Sequence, residues 1–394
     1  MKIPTLSGWR VLAVFLFICA LSPFMFQIDF YGYQVPISST NQRYPLKENT
    51  SKILVTTYMR SGSSFVGELL RFGGHVFYVF EPFWSVYEKT FRTDTEVCMR
   101  NGTCYIPTKT LHKINKTMEI IKMIFDCRIS ELPKEVLKSF TNFPFTSGYS
   151  RRCKSIFSKR QKWKSREQYL HDNRKEWCFT RWQRACKEAS ARVIKTIRLS
   201  PRLLEGIQAF INDVKILHLI RHPLGVLNSR INIGEISESN VHLSARHLCQ
   251  LMTRDVLYIK NELRKNKETV LPLSFECLVS NPAVVATKLF GRLGLNYSKE
   301  TESWIKEHTD RRNVGKTSTG TLKPNTNEGK SHIANGTFQI RKTYSKEIVK
   351  AWKSALSGDI VKGVNAVCNN LYKAVGFFES DDGTDLSTYG SDFC

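Results

Sequence analysis

The chain has 394 residues, of which 41% are hydrophobic and 11% aromatic, and this composition excludes a disordered protein and favours a globular body. It carries 59 lysines and arginines against 35 aspartates and glutamates, which gives a net charge of +24. Such an excess predicts an acidic ligand, an acidic polymer or an anionic membrane surface as partner, and does not by itself indicate nucleic acid.

The N-terminal residues predict a membrane anchor. Residues 11–26 form an apolar run without a charged residue, and Lys2 and Arg10 lie before it. A cleaved signal peptide is the alternative, but no small-x-small cleavage site follows the run, so an uncleaved signal anchor over residues 11–30 is favoured. The positive charge before the run predicts a cytoplasmic tail over residues 1–10 and a luminal body, which is single-pass type II topology.

Two further patterns agree with a luminal body. Five Asn-x-Ser/Thr sites predict glycosylation, at Asn49, Asn101, Asn115, Asn296 and Asn335. Ten of the eleven cysteines lie beyond the anchor and can pair in an oxidising compartment, where Cys98 and Cys104 would close a short loop; the remaining connectivity stays open. The chain has no Cys-x-x-Cys pair, and no metal site is predicted.

The alternation of apolar and amphipathic segments predicts an α/β fold. Residues 31–50 are polar and contain two prolines, which predicts a luminal stem, and residues 51–378 form the main domain. Within it, the pattern is that of a parallel sheet flanked by helices. Strands are predicted at 53–59, 76–80, 193–197, 214–220 and 270–275, and helices at 63–72, 202–211, 241–265, 282–293 and 346–374.

Three segments depart from this alternation. Residues 98–190 are rich in cysteine and basic residues and predict an insertion; their basic run, residues 151–166, is either a solvated face or a rim that attracts a polyanion. Residues 312–343 predict a long surface loop or a mobile loop near the site. Residues 379–394 predict an acidic, flexible tail.

The most informative segment is residues 53–66, where a strand enters a small, hydroxyl-rich turn and then an apolar helix. Gly62 lets the backbone approach an anion, and the first amides of the helix point towards it. Arg60 adds positive charge. The segment is not a Walker A loop, because it has neither that loop's first glycine nor its lysine. An ordinary turn before a helix is the alternative. The predicted phosphate contacts are Arg60, Ser61, Gly62, Ser63, Ser64, Phe65 and Val66.

A second anion-binding pattern follows the strand at 214–220. Arg221 stands at the carboxyl end of this strand, and Pro223 suits the first turn of a helix that places Ser229 two turns along. A guanidinium and a hydroxyl can hold one phosphate from two sides. An ordinary helix start with surface polar residues is the alternative. The predicted contacts are Arg221, His222, Pro223, Leu224, Gly225, Val226, Leu227, Asn228 and Ser229.

Together, the two segments resemble the paired nucleotide-binding signature of sulfotransferases. More narrowly, they resemble the Golgi carbohydrate 6-O-sulfotransferases, which act on galactose, N-acetylgalactosamine or N-acetylglucosamine. The resemblance implies a P-loop-like sulfotransferase fold, in which residues 60–66 bind the 5′-phosphosulfate of 3′-phosphoadenosine 5′-phosphosulfate (PAPS). It implies that residues 221–229 bind the 3′-phosphate of PAPS.

The same resemblance implies the partners and location of the protein. It implies a glycan acceptor on a glycoprotein or proteoglycan, a single-pass Golgi membrane protein with a luminal catalytic domain, no metal and no nucleic acid. The oligomeric state stays open, with a homo-oligomer among the options.

Other segments extend the resemblance. Residues 80–84 resemble the family's Phe-Glu-Pro segment, residues 273–282 resemble a strand and helix start, and residues 195–198 resemble its Lys-x-x-Arg strand. The last implies substrate contacts at Lys195 and Arg198.

Three residues depart from the family pattern. His222 and Leu224 stand where an acid and a second arginine are usual, and Cys277 stands where an aspartate is common.

The chemistry of sulfuryl transfer suggests roles for two residues. Negative charge grows on the leaving phosphate, and Arg60 is the candidate for stabilising it as an electrostatic clamp. Glu81 is the candidate general base that takes the proton of the acceptor hydroxyl. A structural acid paired with an arginine is the alternative for Glu81. The rival bases are His75, His218 and His222, of which His218 lies in a strand and is favoured as a core histidine.

Two other functions are compatible with parts of the sequence. A P-loop kinase of nucleotides or sugars would use the first loop, although the Walker lysine is missing. A non-catalytic, membrane-anchored, heparin-binding protein would use the net charge alone.

Overall fold

The computed structural model describes residues 50–86, 97–98, 104–105, 111–158, 173–204, 207–265, 269–309 and 346–376. All of them belong to one compact unit that spans residues 44–394. The predicted tail, anchor, 312–343 loop and acidic tail lie outside the described residues, as does the stem apart from Thr50. In the part of the chain that is described, no helix has the length and apolarity that a membrane span requires.

A five-stranded parallel sheet forms the centre of the domain. Its strand order is β2-β5-β1-β6-β7, and each neighbouring pair is parallel. The predicted strands are confirmed to within two residues at each end. The strands of this sheet are β1 (Ser51–Thr57), β2 (Val76–Phe80), β5 (Ala191–Thr196), β6 (Val214–Ile220) and β7 (Val270–Ser274); β3 (Val97–Cys98) and β4 (Cys104–Tyr105) form a separate antiparallel pair.

The strand order decides where a site can form. Strand β1 lies in the middle, between β5 and β6, and all strands run in the same direction. Ligands of open α/β sheets bind outside the carboxyl ends of the strands, where the direction of chain progression reverses. Here the reversal is at β1, so the segments after β1, β5 and β6 meet at one edge of the sheet, which we call the active edge.

Helices cover both faces of the sheet. They are α1 (Ser63–Arg71), α2 (Leu111–Phe125), α3 (Lys134–Asn142), α4 (Arg151–Ser158), α5 (Asn173–Glu188), α6 (Ile207–Phe210), α7 (Pro223–Ile231), α8 (Val241–Lys265), α9 (Phe275–Ser280), α10 (Pro282–Leu293), α11 (Lys299–Thr309), α12 (Lys346–Lys350), α13 (Trp352–Ala355) and α14 (Gly358–Val375), with 3-10 turns at Ile129–Glu131, Pro201–Leu204 and Glu238–Asn240.

Two predicted helices differ from the structure. The helix predicted at 202–211 is a 3-10 turn followed by the short helix α6. The helix predicted at 346–374 is interrupted: Leu356 is extended, and Ser357 caps α14 by accepting a hydrogen bond from the amide of Ile360 (3.4 Å). Because a serine competes with the helix backbone for hydrogen bonds, the Ser-Gly pair at 357–358 starts a new helix instead of continuing the old one.

The basic, cysteine-rich segment is more regular than its sequence predicts. In its described part, α2, α3, α4 and α5 supply one of the main hydrophobic clusters, which packs on β1, β2 and β5. Two disulfides hold this layer together, Cys127–Cys186 and Cys153–Cys178. The segment is therefore a core layer of the domain and not an appendage to it.

Other cysteines and glycosylation sites can be placed in part. A disulfide joins Cys249 on α8 to Cys368 on α14, and Cys277 is also disulfide-bonded. The backbones of Cys98 and Cys104 face each other in the β3–β4 pair. Of the predicted glycan acceptors, Asn115 lies in α2 and Asn296 is exposed after α10, whereas the other three lie outside the described residues.

Candidate active site

The loop after β1 has a left-handed backbone conformation at two alternate positions. Arg60 has a φ of +74° and Gly62 has a φ of +88°. A side chain at Gly62 is excluded for a second reason, since a Cβ there would lie 2.3 Å from the ring of Phe275. Left-handed residues in a loop turn successive amides towards a common point, which is how backbone anion sites are built.

Several donors in this loop are not used within the protein. The hydroxyl of Ser61 is fully buried and has no hydrogen-bond partner among the described residues. Helix α1 begins after Gly62, which provides no side-chain cap. The first amides of a helix have no intrahelical partner, and the positive end of the helix dipole lies there. An anionic ligand would satisfy these groups, so the loop fits a phosphate or a phosphosulfate.

The second segment lies directly against this loop, as the sequence predicts. The Nε of Arg60 donates to the hydroxyl of Ser229 (3.0 Å), and a terminal nitrogen of Arg221 donates to the carbonyl of Arg60 (3.0 Å). Arg230 donates to the carbonyl of Met59 through two nitrogens (3.3 and 3.2 Å). Two segments separated by about 160 residues in sequence therefore form a single cationic cluster.

Phe275 is a site residue that the sequence reasoning missed. The guanidinium carbon of Arg221 lies 4.8 Å from the centre of the Phe275 ring, the same ring that lies under Gly62. The signal was available, because Phe275 follows β7 and β7 pairs with β6. A residue after β7 must therefore lie beside the residues after β6.

Apolar members of the two segments do not face the site. Phe65 and Val66 pack in the cluster formed by α1, α9 and α10, and Leu224, Val226 and Leu227 pack against α8 and α14. These residues hold the two helices in place, and their contribution to an anion site is limited to backbone groups.

His222, where the family resemblance leads us to expect an acid, performs a capping role. Its Nδ1 accepts from the amide of Leu224 (3.3 Å), so it caps α7. The ring is stacked between Trp352 and Tyr372, at 5.3 and 5.4 Å between ring centres. Burial lowers the pKa of His222 to about 3, and the charges of Arg221 and Lys353 add to this effect. A neutral, stacked histidine of this kind does not fit the role of general base.

The two other histidines proposed as bases lie elsewhere. His218 is a core histidine, as predicted: it is 1% exposed, its Nδ1 bonds to the Thr56 hydroxyl (2.9 Å), and burial lowers its pKa to about 3. His75 is exposed just before β2 begins, at the end of the sheet opposite to the active edge.

Glu81 follows β2 and is held by many contacts. Its side chain is 1% exposed, and its φ of +48° is unusual for a residue that is not glycine. Its Oε1 accepts from Lys195 Nζ (2.7 Å) and from the amide of Ile197 (3.0 Å). Among the described residues, its Oε2 receives only a longer bond from that amide (3.3 Å). Its own amide donates to the carbonyl of Lys195 (2.8 Å), and its carbonyl accepts from Ser139 (3.0 Å).

Lys195 and Arg198 behave differently, although both were predicted to contact substrate. Lys195 is 2% exposed and pairs with Glu81, so its geometry favours positioning of that carboxylate. Burial lowers the pKa of Lys195, the charge of Glu81 opposes this, and the guanidinium groups of Arg198 and Arg60 lower it further. The Nε of Arg198 is buried and has no hydrogen-bond partner in the described part of the chain.

An exposed basic face lies on α4 and α5. Arg152 and Arg181 are exposed and lie on the ring of Trp177, at 4.6 and 5.8 Å from its centre. The Cys153–Cys178 disulfide ties the two helices together beside them. Neither arginine forms an ion pair with a residue that the structure describes. We call Arg152, Trp177 and Arg181 the basic face.

The described residues contain no group of three or more His, Cys, Asp or Glu side chains that could hold a metal ion.

Comparison with known proteins identifies the family. The sulfotransferase domain family matches residues 50–376. Carbohydrate sulfotransferase 3 of Homo sapiens is 23% identical over 371 residues, covering 85% of this chain and 69% of that protein. Carbohydrate sulfotransferase 5 of Homo sapiens is 23% identical over 388 residues, covering 86% and 81%. Among solved structures, a sulfotransferase domain from the curacin biosynthetic pathway is 14% identical, with a TM-score of 0.39 over 82% of this chain and 97% of that one.

Proposed function

Since this chain belongs to the sulfotransferase domain family, we propose that it is an enzyme that transfers a sulfuryl group from PAPS to a sugar hydroxyl. The relatives are carbohydrate sulfotransferases by name, which supports a carbohydrate acceptor. The family match favours a sulfotransferase over a P-loop kinase and over a non-catalytic, heparin-binding protein.

The junction between the two anion-binding segments carries the proposal. Arg60, Ser229 and Arg221 form one hydrogen-bonded cluster beside the unsatisfied hydroxyl of Ser61 and the uncapped start of α1. A ligand with two separate anionic groups matches this arrangement better than a single phosphate does. PAPS has such groups at its 5′ and 3′ positions, so residues 60–66 would hold the 5′-phosphosulfate, and Arg221 with Ser229 would hold the 3′-phosphate.

PAPS, when bound, supplies the sulfuryl group and a phosphate leaving group. Arg60 keeps its positive charge at every physiological pH, so it acts as a fixed electrostatic clamp and not as a proton donor. The hydroxyl of Ser229 orients the Arg60 guanidinium by accepting its Nε hydrogen. Electrostatic groups that are already oriented need no rearrangement during the reaction, which is why they stabilise developing charge effectively.

Glu81 is the general base in this proposal. Its Oε1 accepts two hydrogen bonds, from Lys195 and Ile197, whereas its Oε2 has the greater remaining capacity to take a proton. Lys195 orients the carboxylate, and Arg198, whose Nε has no hydrogen-bond partner among the described residues, would contact the acceptor sugar. The strained backbone at Glu81 supports a functional role, because strain is often retained at active sites.

The acceptor and location follow from less direct support. We propose the 6-hydroxyl of N-acetylglucosamine, galactose or N-acetylgalactosamine on a glycoprotein or glycosaminoglycan, and a type II Golgi membrane protein with a luminal domain. The disulfides of the domain support an oxidising compartment. The apolar run at residues 11–26 supports the anchor.

Transfer of labelled sulfate tests this function. The full chain, solubilised from membranes, is incubated with radiolabelled PAPS and a panel of chondroitin, keratan and N-acetylglucosamine-terminated acceptors. Arg60→Ala and Ser229→Ala should abolish transfer while the protein remains folded. The matched control is Arg128→Ala, which removes an exposed arginine paired only with its neighbour Glu131. Normal turnover by either site variant would refute the assignment.

A further inference from the structure

A network of buried polar side chains lies behind the active edge. It connects strands β1 and β6, the segment that follows β5, and helix α8. Each of its members is at most 4% exposed: Thr56, His218, Tyr58, Asp255 and Ser200. Tyr58 donates to Asp255 Oδ2 (2.6 Å), and Ser200 donates a short hydrogen bond to Oδ1. Thr56 bonds to Nδ1 of His218 (2.9 Å), and Nε2 of His218 lies 3.4 Å from the Tyr58 hydroxyl.

The direction of these hydrogen bonds is determined by the carboxylate. Because an ionised carboxylate only accepts, the hydroxyl hydrogen of Tyr58 must point to Asp255. His218 Nε2 then carries the hydrogen that faces the Tyr58 oxygen, and its Nδ1 accepts from Thr56. On the other side, Ser200 donates to Asp255 and accepts from the amide of Arg202 (3.2 Å). All hydrogen-bond donors of this network therefore point towards Asp255.

Asp255 is an unusual core acid. Within the described residues, its carboxylate accepts only hydroxyl hydrogens and forms no ion pair. Burial raises its pKa to about 6, whereas the hydroxyls of Ser200 and Tyr58, and then the charges of Arg202 and Arg254, lower it. His218 belongs to the same network, and its lowered pKa keeps it neutral. Retaining a buried acid without a basic partner is costly for folding, which favours a role in the function of the site.

The network lies close in sequence to the residues of the active edge. Tyr58 precedes Arg60 by two positions, and Ser200 follows Arg198 by two. Asp255 itself lies on α8, which the Cys249–Cys368 disulfide fixes to α14. Helix α8 thus holds two segments through the single carboxylate of Asp255. One segment carries Arg60 and the other carries Arg198.

We propose that Asp255 is a positioning residue for sulfuryl transfer, which by holding Tyr58 and Ser200 sets the placement of Arg60 relative to Arg198. The inference rests on the proposed function. This positioning role requires the ionised form of Asp255, because a protonated carboxyl group must donate one hydrogen bond. One hydroxyl of the network would then have to turn, and either the segment after β1 or the segment after β5 would lose its anchor.

Kinetics of the full chain test this role through three variants. Tyr58→Phe, Ser200→Ala and Asp255→Asn are compared with Thr301→Val, which removes a different buried hydroxyl bond, from Thr301 to the carbonyl of Phe72 (2.8 Å). We expect Tyr58→Phe to remain folded and to lower kcat about tenfold or more with little change in acceptor KM, because small misplacements of reacting groups reduce turnover strongly. Thr301→Val should keep wild-type kcat.

The pH dependence supplies a second measurement. In the wild type, kcat should fall as the pH decreases through about 6, as Asp255 is protonated. Asp255→Asn cannot change its charge, so this fall near pH 6 should be absent from its profile, although its kcat is low throughout. A structural role alone would lower the unfolding temperature without removing that step.

The outcomes separate this inference from the proposed function. If the wild type transfers sulfate and Tyr58→Phe has the same kcat and pH profile, the positioning role is wrong and the proposed function stands. If the wild type neither transfers sulfate nor binds adenosine 3′,5′-bisphosphate in a calorimeter, both are overturned. If it binds this desulfated product and Asp255→Asn binds it equally while losing kcat, positioning is supported.

Discussion

The buried pair of Glu81 and Lys195 provides the most informative single experiment on the site. Removing one partner of a buried ion pair leaves the other charge uncompensated, which typically costs about 3–5 kcal/mol. Lys195→Met should therefore lower the unfolding temperature clearly. Glu81→Gln should cost less, because burial already lowers the pKa of Lys195 and the amine can lose its proton once its counter-charge is gone.

The double variant separates a structural role of Glu81 from a catalytic one. Replacing both partners removes the two charges together, and such replacements are often close to neutral for stability. Glu81→Gln with Lys195→Met should thus regain most of the lost stability. A general base commonly contributes about 100- to 10,000-fold to the rate, so we expect the double variant to stay at least about 100-fold below wild type.

The measurements are thermal unfolding and sulfate transfer on the same preparations of the full chain. Recovery of stability without recovery of turnover supports Glu81 as the base. If the double variant regains turnover to within about tenfold of wild type, Glu81 only orders the ends of β2 and β5, and the base must be sought elsewhere.

Three further predictions concern the loop, the buried acid and the basic face. Gly62→Ala should abolish binding of adenosine 3′,5′-bisphosphate in a calorimeter, because its Cβ would collide with Phe275; wild-type affinity would contradict this. The pKa of Asp255 rises from 3.8 to about 6 on folding, so the native state binds more protons in this interval, and the free energy of unfolding should fall by about 3 kcal/mol as the pH rises through it. Chemical denaturation should show this fall in wild type and not in Asp255→Asn. Arg181→Glu should raise KM for a polyanionic acceptor at low salt, with Arg128→Glu as the exposed control, whereas equal KM values would assign the basic face to solvent.

The strands and the two anion-binding segments could be predicted from the sequence because each is encoded locally. A continuous apolar run such as residues 53–55 is the pattern of a buried parallel strand. Gly62 and Pro223 mark the turns that follow two such strands. The proximity of the two segments followed from one rule, that parallel strands end at the same edge, together with the family resemblance.

Other features could not be predicted, because they depend on contacts between distant residues. Nothing near Asp255 in sequence shows that Tyr58 and Ser200 would reach it from the segments that follow β1 and β5. The alternative role of Glu81, a structural acid, named an arginine as its partner; the residue that pairs with it is Lys195, because the β2–β5 register places Phe80 beside Lys195. The core role of residues 111–158 was hidden by their basic composition, because exposed cations such as Arg151, Arg152 and Lys154 alternate with buried apolar residues such as Cys153.

The family resemblance leads us to expect an acid at the position of His222, and the contacts of His222 show how its surroundings compensate. An acid at this position would cap α7 through its carboxylate, and His222 does the same through Nδ1. A negative charge is supplied from the first turn of α9, since Glu276 Oε1 accepts a hydrogen bond from the amide of His222 (2.9 Å) while Oε2 accepts one from the Ser274 hydroxyl (3.1 Å). Phe275, between these two residues, supports both Gly62 and Arg221. The segment after β7 therefore braces both anion-binding segments, and changes in it should affect donor binding before acceptor choice.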